Sequence, residues 1–193
     1  MPPTAKITKD MIVDSGLKIV REEGADRLNV RRVATELGCS TQPIMYHFKT
    51  VADLKTAVYS AADAFHTSFI MTPEETDSNP FLAIGLRYIR FAAEEMNLFR
   101  FLFQSDKLGS SSIEGLLESG EISQIIVPLT AATGFSEEKA REVFSVLFIC
   151  VHGAASLIAN NSIGYDQDYF VTMLTRTFNG LIAASQEENH ETI

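Results

Sequence analysis

Thr41, Gln42 and Pro43 stand directly behind Ser40, a side chain well suited to cap the N-terminus of a helix. A Gln amide pairs with both N6 and N7 of adenine, and Thr can touch the methyl of thymine. A first helical turn holding the two is therefore suited to reading base edges in a DNA major groove. Pro43 is tolerated in a first turn and presents an apolar face. Asn29 precedes a second candidate helix, where it caps and offers its amide to a phosphate, and His47, Lys49 and Lys55 flank the reading turn.

Such residues work only if helices hold them in place. Val30, Val33, Ala34 and Leu37 recur at three- and four-residue spacing, the mark of a short amphipathic helix. Gly38 breaks it where a left-handed residue is wanted, and Ile44 and Phe48 give the following helix its apolar face. Two helices joined by a short turn containing Gly form the helix-turn-helix unit, whose second helix enters the major groove. Ala34 is small where the two helices must cross.

Residues 8 to 54 resemble the N-terminal domain of the tetracycline-repressor (TetR) family of transcription regulators. That family's opening helix ending in Gly is matched by MIVDSGLKIVREEG up to Gly24. Its Thr-x-Arg-x-Ile-Ala segment is matched by Asn29 to Ala34, and its Leu-Gly-Val-Ser by Leu37 to Ser40. Its Leu-Tyr-x-His-Phe-x-x-Lys-x-x-Leu run is matched by Ile44 to Leu54. Met45 stands where the family has a phosphate-contacting Tyr, and Val51 where it has a phosphate-contacting Lys; Tyr46, Lys49 and Lys55 are at hand to compensate. The resemblance implies that Arg31 contacts the DNA backbone. It also implies a ligand-responsive regulator, a repressor more than an activator, which binds a palindromic operator as a homodimer. A small molecule in the C-terminal domain releases it by moving helix four and the reading heads.

Composition fits a DNA-reading end joined to a different kind of domain. The net charge of −9 divides unevenly: residues 1–60 hold nine Lys/Arg against seven Asp/Glu, and the rest hold seven against eighteen. The basic excess lies with the helix-turn-helix, and the acidic remainder repels phosphate. No apolar leader opens the chain, so secretion is not expected and a cytoplasmic site is. The apolar window 143–159 is read as a buried helix, without a membrane partner. Cys39 and Cys150 have neither metal nor redox spacing and are read as packed free thiols. Neither a metal nor another cofactor is implied. No nucleophile elbow, phosphate loop or His-Glu-x-x-His is present. A helical enzyme without a motif, or a helix-turn-helix used for protein contacts, remains the alternative reading.

Along the chain, about nine helices and no strand are expected, giving an all-α protein. Residues 1–50 form a three-helix DNA-binding domain, helix four (about 51–70) connects, and residues 71–193 form the effector and dimerisation bundle. Helix four carries a stripe of Leu54, Val58, Ala61, Phe65 and Phe69. Near the C-terminus, Phe144, Phe148, Val151, Ala155 and Ile158 form one apolar seam, and Phe170, Leu174, Thr177, Leu181 and Ala184 form another. Two such helices suit either a four-helix dimer interface or an ordinary monomeric bundle; the resemblance, whose members dimerise this way, favours the former. The interface is thereby assigned to Phe144, Phe148, Val151, Ala155, Ile158, Phe170, Leu174 and Leu181. Val151-His152-Gly153 resembles in part a C-terminal subgroup marked by Trp-His-Gly, without the Trp. His152 is read as a buried, hydrogen-bonded His, as a pocket residue meeting a polar ligand group, or as a metal ligand. The first two suit the absence of any other His at ligand spacing. Phe99, Phe101 and Phe103 alternate in a short helix and cannot share one face, so some are expected to border a cavity. An unidentified effector is assigned to an apolar pocket of Tyr88, Phe99, Phe103, Gln104, Phe148 and His152.

Overall fold

A computed structural model of the chain describes residues 7–75, 79–104 and 120–191. These residues form helices α1 (Lys9–Glu23), α2 (Val30–Glu36), α3 (Thr41–His47), α4 (Val51–Met71), α5 (Pro80–Glu94) and α6 (Met96–Phe103), then α7 (Gly120–Thr133), α8 (Glu137–Ala159) and α9 (Gln167–Glu191). A single 3-10 turn, Ala25–Arg27, links α1 to α2, and there is no strand among the described residues. The Ser- and Gly-rich stretch 105–119 lies outside them. By internal packing the chain falls into two compact units, Met1–Phe69 with Glu94–Lys107 and Ile70–Ala93 with Leu108–Ile193.

In the first unit, short polar side chains start α1, α2 and α4, and glycines follow the ends of α1 and α2. Thr8 accepts from the Met11 amide at 3.2 Å, and Asn29 accepts from the Arg32 amide at 3.0 Å. Thr50 and Asp53 cap α4 reciprocally at 2.9 and 3.0 Å. Ile12, Ile19, Val20, Val33, Ile44, Leu54 and Val58 converge into one buried core. A Cβ on Gly16 would stand 2.5 Å from Val58 Cγ2, so α1 and α4 cross at a point that only Gly fits. The buried line of α4 runs Leu54, Val58, Ala62, His66; Ala61, Phe65 and Phe69 of the expected stripe are half-buried beside it. Four-residue steps drift round a helix of 3.6 residues per turn, which carries the line onto His66.

α6 belongs to this unit, although a division at residue 71 counts it with the effector part. Glu95 forms an ion pair with Arg21, Asn97 donates to the Arg21 carbonyl at 3.0 Å, and Tyr59 donates to the Leu102 carbonyl at 3.2 Å. Its aromatic rings are absorbed by the packing. Phe99 meets Phe103 at 4.9 Å, Phe101 meets Tyr59 at 5.6 Å, and Phe103 meets the edge of His66 at 5.1 Å. Phe99, Phe103 and Gln104 of the expected effector pocket are thus residues of the first unit, with Phe99 fully buried.

In the second unit, Ile122, Ile126 and Leu129 of α7 pack with Ala140 of α8, and Phe81, Phe144 and Phe178 close over them. Ser136 caps α8 through the Lys139 amide at 3.2 Å. At the other end Asn161 takes φ 56°, and the Asn161 and Ser162 amides return to the Ile158 and Leu157 carbonyls, both at 2.9 Å. The two apolar seams meet within the subunit. Ala155, Ile158, Phe170 and Leu174 are buried, and Phe144, Phe148, Val151 and Leu181 are half-buried. Gly85 shows what they pack against: a Cβ there would lie 3.2 Å from Leu174 and 3.5 Å from Val151. Of the eight residues assigned to a dimer interface, four are thus buried within the chain itself and four are partly covered by it. The opposite face of α8 carries Val146, Ile149, Gly153 and Leu157, all exposed. α8 is long and apolar enough to cross a membrane by length and composition, with 33% of its apolar window buried. The helix read as buried is covered on one side only.

Candidate nucleic-acid interface

The turn between α2 and α3 is built from backbone hydrogen bonds that require a residue at positive φ. Gly38 supplies it at φ 61°. Its amide reaches the Thr35 carbonyl at 3.2 Å, and the Cys39 amide reaches the Ala34 carbonyl at 3.0 Å. This closes α2 and aims the chain into α3. Ser40 takes the extended conformation of a cap, yet its hydroxyl makes no cap hydrogen bond. Pro43 explains the difference: it occupies the third helical position, whose N–H meets the cap side chain in α1, α2 and α8.

α3 buries Ile44 and, at its end, Phe48, and turns Thr41, Gln42, Met45 and Tyr46 to the outside. Tyr46 is 82% exposed and stands edge-on to the His47 ring at 5.3 Å. The His47 Nε2 is 3.1 Å from the Ile7 carbonyl, which ties the start of the described chain to the reading helix. Lys49 is exposed, and Lys55 half-exposed. Asn29 caps α2 and donates one amide hydrogen to the Arg27 carbonyl at 3.1 Å, leaving a single N–H for a phosphate.

The two adjacent arginines of α2 are treated differently. Arg32 joins a network of four charges: it bonds Glu23 at 3.0 Å and Glu36 at 2.9 Å, and Lys18 bonds Glu36 at 2.6 Å. The Glu23 carboxylate raises the Arg32 pKa, and the hydrogen bond from Lys18, then that from Arg32, holds Glu36 below its ordinary range. Arg31 is exposed and has no ion pair among the described residues. Glu36, an acidic neighbour on the same helix, is occupied by Lys18 and Arg32.

In the second unit three of the expected pocket residues meet. The Tyr88 hydroxyl lies 2.9 Å from His152 Nδ1, Phe148 stacks on His152 at 5.6 Å, and Tyr88 meets the Phe148 edge at 6.1 Å. Burial pushes the Tyr88 hydroxyl above its ordinary pKa and His152 below its own, so both are neutral near pH 7. Two cavities have other walls. One of about 200 Å³ is lined by Leu82, Leu86, Arg87, Arg90 and Tyr165 among others; an apolar one of about 80 Å³ lies over Gly85, Val151, Leu174 and Phe178. Sequence spacing gave no sign of Arg87, which is buried and donates from Nε to the Ile70 carbonyl at 2.8 Å. Cys39 and Cys150 are free and half-buried, and no metal-binding cluster occurs among the described residues.

Residues 81–178 match the family model described as the tetracyclin repressor-like C-terminal domain. The chain belongs to the TetR family. Its fold is also that of a TetR variant from Acinetobacter baumannii AYE solved with minocycline (20% identity, 94% of this chain and 98% of that one, TM-score 0.57). Apo ActR from Streptomyces coelicolor is similar in the same way (20% identity, 96% and 99%, TM-score 0.60). No curated protein matches significantly in sequence. The matched model spans the helices that hold Tyr88, Phe148 and His152.

Proposed function

We propose that this TetR-family chain is a cytoplasmic, homodimeric transcription regulator that represses from a palindromic operator and lets go when a small molecule binds its second unit. The observation that carries this is the outer face of α3. Thr41 and Gln42 stand free of the core on a helix whose buried side is locked by Ile44, and Arg31 is exposed on the preceding helix. Arg31, Tyr46, His47, Lys49, Lys55 and the remaining Asn29 N–H serve the backbone, and Ser40, Thr41, Gln42 and Pro43 meet the bases.

The uncovered side of α8 supports dimerisation. Val146, Ile149, Gly153 and Leu157 follow three- and four-residue spacing, and Ile149 is 53% exposed. The same face of a second copy covers such a row by a two-fold contact, Gly153 allowing close approach. The seam residues beneath support that face from inside. Two reading heads then address two half-sites about one helical turn, or a multiple, apart.

The effector is a small molecule taken up by the second unit, and the Tyr88–Phe148–His152 cluster is its proposed seat. That the A. baumannii chain of the same fold was solved with minocycline agrees with this. Arg87 supplies a route outward. It grips the carbonyl of Ile70 at the end of α4, so a shift of α5 reaches the helix that begins beside the reading head. Selection from a random duplex library with the full chain tests the whole reading. An enriched inverted repeat, bound less well as salt rises, is expected; no enrichment at low salt rejects DNA binding.

A further inference from the structure

The face of α3 that reads DNA carries an exposed apolar side chain which phosphate binding leaves unexplained. Met45 is 42% exposed and lies three residues after Gln42 and four after Thr41, hence on the same outward face. Val51, at the start of α4, is also exposed. Met45 has no donor to offer a phosphate, and the group that suits its side chain on this face is an apolar one. In the major groove the base edges present one such group, the C5-methyl of thymine. Three residues advance a helix by about 4.5 Å. With the N-terminal turn of α3 on the base edges, that step carries Met45 within reach of a pair adjoining the one that Gln42 meets. Tyr46 suits the groove wall better, because its ring already leans on His47 and its hydroxyl can donate to a phosphate.

We propose that Met45 is a base-specificity residue: its flexible thioether arm seats against the methyl of a thymine in the base pair adjoining the one read by Gln42. The inference rests on the DNA-binding reading above and deepens it. It makes the operator's preference at one position a matter of a single methyl group, read by a soft side chain that adapts its shape. No charge is involved, so Met45 adds nothing to the salt dependence.

The test takes the enriched duplex from the random library and replaces each thymine in turn by uracil, which removes only the methyl. With the unaltered chain, one substitution per half-site weakens binding roughly fourfold, about fifteenfold when made in both. Met45→Leu keeps that penalty and Met45→Ala loses it, with the salt slope the same in all three. Met45 is on the surface, so both variants fold, and matching circular dichroism checks this. A duplex indifferent to uracil at every position overturns the inference, as does a seat for Met45 on deoxyribose, which leaves the same indifference. So does a penalty that persists in Met45→Ala, since another residue then reads the methyl. A library that enriches no sequence removes the DNA-binding reading and this inference together; enrichment without a uracil effect removes this inference alone.

Discussion

α3 and α8 each have one face buried and one exposed, and they differ in what settles which face is which. In α3 the choice is local. Gly38 at positive φ, the extended Ser40 and the buried pair Ile44 and Phe48 leave a single orientation for a seven-residue helix. In α8 apolar residues lie all round, so the inward side is decided by what packs on it: α7 against Ala140 and Phe144, and Gly85 of α5 beside Val151. Short-range rules fix the orientation of α3, and long-range packing fixes that of α8.

The sharpest way to break this comparison is to charge the two sides of the α8–α9 pair separately. Leu174 is 4% exposed, so Leu174→Glu leaves a buried charge without a partner and should cost on the order of 4 kcal/mol, unfolding the second unit. Ile149→Glu should leave the thermal midpoint nearly unchanged and yield folded monomers. Circular dichroism melting and analytical ultracentrifugation separate the two. If Leu174→Glu gave folded monomers while Ile149→Glu stayed dimeric, the inner seam would be the interface after all.

His66 offers a second contrast, within the reading unit. Burial against Phe103 lowers its pKa from 6.5 to about 4. The folded state refuses a proton that the unfolded chain accepts, so stability is level above about pH 6.5 and falls as pH drops from there toward 4. The loss is roughly 3 kcal/mol at the acid end. His66→Leu should flatten that part of the urea midpoint against pH. An unchanged acid slope would mean that His66 opens to water before the unit unfolds.

How much was legible follows the same division. The cap at Asn29, the turn at Gly38 and the outward Thr41 and Gln42 are properties of a few neighbouring residues, and the sequence points to them; the hydrogen bond expected of the Ser40 cap does not form, because Pro43 has no N–H to give. Spacing also located the α8 and α9 seams, though not the core they turn toward, because a period of 3.6 names a stripe without naming its partner. The same blindness placed α6 with the effector part: Glu95 and Asn97 carry no sign that Arg21, 74 and 76 residues away in sequence, is waiting for them. Arg87 was invisible for a related reason, since its partner is a backbone carbonyl.

Base reading itself can be probed without disturbing either core. Gln42 is exposed and holds nothing together, so Gln42→Ala should fold as before. It should lose about 1–3 kcal/mol of discrimination at one base pair of each half-site, the others keeping theirs. Repeating the library selection with the variant measures this. A preference that stays the same at every position would move base reading to other residues on α3.

The finest contrast is between two neighbours of identical type. Arg31 and Arg32 differ only in position on α2, but Arg32 spends its guanidinium on Glu23 and Glu36, while Arg31 is left toward solvent. If charge availability decides who meets the phosphates, Arg31→Ala should flatten the logarithmic salt dependence of binding by about one unit for each phosphate it leaves unneutralised, alike on every sequence. Arg32→Ala should leave that slope alone and lower the melting midpoint of the first unit a little, because Glu23 and Glu36 then face each other and α1 loses a tie to α2. Lys18 would still hold Glu36, which keeps the unit folded and the comparison clean. Equal slopes for the unaltered chain and Arg31→Ala, with a shallower one for Arg32→Ala, would show that the ion network opens on DNA and that Arg32 is the phosphate ligand.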